Sequence, residues 1–103
     1  MKGHLAEGGV VFIHCPGCRS FHSVSTQVRN SSGAMWQWNG SLELPTFTPS
    51  LNVFWSYNRS DGTRIDHRCH SFITAGKIQF LMGSTHELAG QTVDLLEWDT
   101  GDD

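Results

Sequence analysis

The stretch His14–His22, "HCPGCRSFH", sets two cysteines three residues apart around Pro16-Gly17, with a histidine at each end. Thiols so placed can hold a metal ion, shuttle through a disulfide, or stay reduced and idle in a turn. A Pro-Gly turn lets backbone N–H groups point at both sulfurs, so that two thiolates converge on one tetrahedral ion. The redox alternative requires the pair at the start of a helix in a βαβ setting, whereas strand-forming residues flank it here. The apolar run Val10–Ile13 is short against the roughly 7–15 residues of a secretory signal core. The expected setting is therefore the cytoplasm, where thiols stay reduced. Three cysteines, an odd number, also count against a disulfide framework. Zinc is the expected ion.

A structural zinc site takes four protein ligands. Beyond Cys15 and Cys18 the candidates are Cys69, His70 and His86, with His14 and His22 close by in sequence. Cys69 and His70 are neighbours on an expected strand, so their side chains leave opposite faces and only one reaches a given ion. Cys69 is the expected third ligand, against its reading as a small buried apolar side chain. His86 is the expected fourth, and His70 the substitute for either. His22 shares a face with Val24 and His70 with Phe72, which reads both as hydrogen-bonded core histidines beside the metal. His4 and His67 lie in polar segments and read as surface residues.

The elements that must position these groups are short strands. "VVFIH" and "FHSVST" flank the cysteine turn. "MWQWN" alternates, with Trp36 and Trp38 on one face. "LPTFTPS" carries two prolines and is expected to be extended but not a central strand, with Phe47 buried under the Trp-bearing strand. In "LNVFWSY" Leu51, Val53, Trp55 and Tyr57 share a face, and "NRSDGTR" is a polar loop with an Asp-Gly turn. "CHSFIT" and "KIQFLM" flank Ala75-Gly76 as a hairpin. "STHELAGQ" reads as one helical turn closed by Gly90. "TVDLL" is a last strand. The chain is expected to be a single all-β domain over 1–103, a small antiparallel sandwich or partly open barrel, with residues 1–9 and 97–103 frayed.

Four blocks, "CPGCRSFH", "WNGSLELPTFTPSL", "CHSFITAGKIQFL" and "THELAGQTVDL", resemble a family of short phage and prophage proteins. Members often bear the automatic label "ammonia monooxygenase", a name for a large membrane-bound metalloenzyme that nothing in these residues supports. The resemblance implies a zinc-binding protein of phage origin with no assigned activity. Its pattern falls on Cys15, Cys18 and His22; on Trp38, Asn39, Pro45, Thr46, Phe47, Pro49 and Ser50; and on Cys69, His70, Phe72, Gly76, His86 and Gly90. Many relatives carry a cysteine two places before the last histidine, where this chain has Ser84. Serine is a poor zinc ligand, so that position is read as a non-ligand.

At 103 residues such a chain can build a core without a metal staple. Four Trp and six Phe with only 17% charged residues describe a folded globule. The net charge of -3, without a run of Lys or Arg, disfavours nucleic acid. No stretch approaches the roughly 20 apolar residues of a membrane span. The leading functional reading is a non-catalytic module, with a structural zinc and a surface that engages a host or phage protein. The alternative is a metal-dependent hydrolase using His22 and His70 near the ion. It lacks a His-Glu-x-x-His signature, since His86-Glu87 has no second histidine. A further alternative is a single-strand nucleic-acid binder that stacks bases on Trp36, Trp38 and Trp55.

Overall fold

Val11, Ile13 and Cys15 alternate along one strand, and His22 and Val24 answer them on the next; all five are buried. That period of two builds the first sheet, in which β1 (Gly3–Ala6), β2 (Val10–Cys15) and β3 (Ser20–Ser25) pair antiparallel in sequence order. The computed structural model describes residues 1–98. A second sheet follows in the order β4 (Gln37–Trp38), β5 (Phe47–Asn58), β6 (Arg64–Thr74), β7 (Lys77–Phe80) and β8 (Thr92–Asp94), again antiparallel throughout. The fold is all-β, as expected, with two separate sheets and no closed barrel. Among the described residues, the only helical element is a single 3-10 turn at Glu7–Gly9. Among the described residues, no helix is long and apolar enough to cross a membrane.

The core fills the space between the sheets. Val11, Ile13 and Val24 come from the first, while Phe47, Leu51, Ile73, Ile78 and Phe80 come from the second. Each such side chain, once removed from water, contributes about 1.5–3 kcal/mol before entropy is counted. Phe47 is buried as expected, directly opposite Trp38, with the two rings stacked at 6.5 Å.

Three expectations need correction. The "TFTPS" stretch is not excluded from a central strand: β5 begins at Phe47 and lies between β4 and β6. Pro49 fits because the register with β6 shifts between Phe47 and Leu51, so no ladder bond is asked of it there. "STHELAGQ" forms no helix but a run of turns, with Ala89 N donating to His86 O and Gln91 N to Leu88 O. Ser84 and Thr85 are drawn out of any helix because their side chains and backbone bond to β6. The ends, too, are tied. Residues 3–6 form β1, the amino terminus meets Glu97 at 2.8 Å, and Trp98 N donates to Met1 O. The rest of the expected fray, 99–103, lies outside the described residues.

The Ala75-Gly76 hairpin is as expected. Both residues have positive φ (50° and 78°), the two-residue turn whose twist suits antiparallel strands. Ala75 is strained there. Its N–H donates to Thr46 Oγ1 at 2.8 Å, which holds the turn against the β4–β5 connection.

Candidate functional site

The sequence alternation on β6 decides the site. Cys69 is fully buried and faces the core, whereas the next residue, His70, faces outward. On the inner side, the cysteine turn of the β2–β3 hairpin meets β6. Cys15, Cys18, His22 and Cys69 bring one ligand atom each to within 4.8 Å of one another. The cluster therefore joins the two sheets. Cys15 Sγ and Cys69 Sγ are 3.9 Å apart. A tetrahedral ion bound at about 2.3 Å spaces its sulfurs by about 3.8 Å. Inside the turn, Cys18 N–H donates to Cys15 Sγ at 3.4 Å, and Arg19 takes a left-handed conformation (φ 56°) that closes the knuckle.

His22 is 5% exposed, and its Nε2 is buried without a hydrogen-bond partner in the protein. Leaving such an atom unpaired costs about 1–3 kcal/mol, so it calls for a partner from outside the chain. The thiols are equally in conflict. Hydrogen bonds from Cys18 and then Cys69 draw the Cys15 thiol far below its ordinary range. The Cys15 sulfur in turn pushes Cys18 up to about 12 and Cys69 higher still. Packed sulfurs that cannot all ionise alone can do so around a cation. The residues fit a metal ion.

Where the sequence pointed elsewhere, the placement differs. His86, expected as the fourth ligand, stands outside the four, and His22 is in the group instead. The His86 ring lies against the knuckle from outside: a Cβ on Gly17 would collide with it. Its Nδ1 accepts from Leu88 N–H, and its ring meets Phe80 edge-on at 4.4 Å. His22 reaches the cluster because the hairpin puts it on the same inward face as Cys15. His67 is not a surface residue. It stacks on Trp55 at 4.1 Å, and its Nε2 lies 3.4 Å from Cys18 Sγ. Desolvation lowers its pKa, which favours a neutral ring beside that sulfur. Ser84 takes no part in the cluster. Its hydroxyl accepts from His70 N–H and donates to His70 O, clamping the β6 backbone there.

His70, the substitute ligand, has its own partner. Ser50 Oγ lies 3.0 Å from His70 Nε2 across the β5–β6 pair. Both residues are half-buried, so the pair is packed yet reachable. Asn52 stands directly opposite His70 in the register and on the same face as Ser50. Trp36 Nε1 donates to the Ser50 carbonyl at 3.2 Å, fixing the backbone that carries the hydroxyl. A hydroxyl on an imidazole nitrogen is the arrangement of an activated nucleophile and its base. The sequence offers His70 as a substitute ligand or, with His22, as a catalytic histidine near the ion, and Ser50 only through the family pattern. Twenty residues separate the two, so only the strand register unites them.

No curated protein and no solved structure shows significant similarity to this chain. A family model does match, over residues 2–81, and its description is "Bacterial ubiquitination-like system serine protease (BubE)". That description carries nothing of the phage origin implied by the resemblance. The match includes the cysteine knuckle, Cys69, Ser50 and His70, and covers well over half of the sequence, so the chain belongs to the BubE family.

Proposed function

We propose that the protein is a serine hydrolase that cleaves peptide bonds, with Ser50 as nucleophile and His70 as base, on a fold clamped by a structural zinc. The observation that carries this reading is the 3.0 Å approach of Ser50 Oγ to His70 Nε2. The family's description as a serine protease agrees with it. In the reaction, Ser50 Oγ attacks the carbonyl carbon and its proton passes to His70 Nε2. The tetrahedral adduct collapses, the C–N bond breaks, and His70 returns the proton to the leaving amine. Water, deprotonated by His70, then hydrolyses the Ser50 ester, releasing the acid and restoring the hydroxyl. Asn52, opposite His70, is the side chain suited to donate to the oxyanion.

Zinc suits three thiolates and an imidazole, and four protein ligands leave no position for a catalytic water. When bound, the ion supplies a cross-link between the sheets. His22 belongs to that clamp. Reduced thiols support a cytoplasmic setting.

The test is covalent. A fluorophosphonate should label the native protein at Ser50, found by mass spectrometry of the digest, and Ser50→Ala and His70→Gln should abolish labelling. Label on another residue, or none with zinc fully bound, overturns the assignment. A second reading, the non-catalytic binding module, is supported by the exposed Phe54 and Tyr57 and the partly exposed Trp55 on the long β5–β6 ribbon. It predicts that Ser50→Ala retains full biological function.

A further inference from the structure

In the second sheet β5 is bordered on one side by β6 along most of its length. On the other side it is bordered only by the two residues of β4, which pair with Phe47 and Thr48. From Leu51 onward that other side is an open edge. The Ser50 carbonyl is turned to it, since it is met there by the Trp36 indole rather than by β6. In an antiparallel strand the backbone groups of alternate residues point the same way. The N–H and C=O groups of Asn52, Phe54 and Ser56 therefore face the open side. Among the described residues, no backbone bond outside the strand ladders engages them.

Beside this edge runs a groove of about 250 Å³. Asn52 and Phe54 line one wall, and Ser23 of β3 with Asn30, Ser32 and Trp36 line the other. Trp36 closes the end nearest Ser50, with its N–H on Ser25 O and its indole on Ser50 O. Natural edges are usually blunted by charge, proline or cover. From Asn52 to Tyr57 this one carries no charged residue and no proline. An unguarded row of donors and acceptors, repeating every two residues and ending beside a nucleophile, matches one ligand chemistry: extended main chain.

We propose that the substrate binds as an added strand on the open edge of β5, an extended polypeptide segment paired with Asn52 and Phe54 that delivers its scissile carbonyl to Ser50. This rests on the Ser50–His70 assignment and names its substrate class. Main-chain pairing supplies affinity independent of sequence, and the polar groove wall favours small or polar side chains in the segment. A folded domain cannot offer such a strand from its interior. A loose tail or an unfolded region can.

The experiment is amide hydrogen exchange on Ser50→Ala protein with zinc bound, using reduced and carboxymethylated α-lactalbumin as an unfolded probe. At saturating probe, the amides of Asn52, Phe54 and Ser56 should slow by about tenfold or more, while those already paired to β6 change little. His70→Gln protein should give the same pattern. Protection confined to other segments, or none, overturns the proposal. Protection that grows with protein concentration without probe assigns the edge to a second copy of the chain and also overturns it. Failure of the catalytic reading shows itself separately, as absent fluorophosphonate labelling, and leaves the exchange result standing.

Discussion

Two faces of one strand, one residue apart, carry two unlike groups of side chains. Cys69 looks inward and joins Cys15, Cys18 and His22, a group drawn from two sheets and buried except for the half-buried Cys18. His70 looks outward to Ser50, in a pair from adjacent strands that remains half open. The inner group has four donors close enough to share one ion, as the proposed clamp requires. The outer pair has one short contact and stays half-buried, within reach of solvent, as an attacking group needs. The difference shows why histidine count alone misleads: His22 and His70 have the same chemistry, and burial with partner identity separates them.

The comparison breaks most severely if the clamp is opened. Cys69→Ser should remove nearly all bound zinc and cost on the order of 5 kcal/mol, because metal-binding free energy is folding free energy where the unfolded chain has no site. Elemental analysis and a thermal melt read both. The Ser50–His70 reaction should fall with it, since β6 carries both Cys69 and His70. The converse change is selective. Ser50→Ala should lower hydrolysis about 10³-fold or more while zinc content and melting temperature stay as in the native protein. Parallel loss of zinc would mean that the two faces are not independent.

Smaller changes sharpen the assignment. His22→Gln should weaken zinc binding about 100-fold, a loss of about 2.7 kcal/mol of stability at saturating metal, seen by competition with a chromogenic chelator. Retained affinity would return the fourth position to His86. Gly17→Ala should cost about 1–3 kcal/mol in a denaturant melt, because the new methyl meets the His86 ring packed on Phe80. Asp94→Asn, which breaks the exposed Lys77–Asp94 pair far from both faces, should leave melting unchanged within error.

Much of the Cys/His cluster is legible in the residue order. Cys15 and Cys18 announced themselves by spacing, and Cys69 by being the remaining soft ligand on a strand. His22 was visible as an inward-facing residue but was read as core, because face and burial look alike for a ligand and for a hydrogen-bonded histidine. His86 stands at the start of a turn that the sequence predicts to be helical. Ser84 and Thr85 instead bonded to β6 and set the His86 ring against Gly17. The outer pair was the least legible, since serine has no spacing signature of its own.

By itself, the order of residues determined the period-two strands, the Ala75-Gly76 turn, the knuckle and the opposite facing of Cys69 and His70. All of these are local consequences of backbone geometry and side-chain alternation. Only the tertiary structure decided which groups meet: His22 with three sulfurs from two sheets, Ser50 with His70, and β5 with a bare edge. Those contacts depend on strand register and on the shift near Pro49, which are set by how the two sheets bury their common core. A one-residue slip of β6 would send Cys69 outward and His70 inward, exchanging the two faces and their proposed roles without altering a single residue.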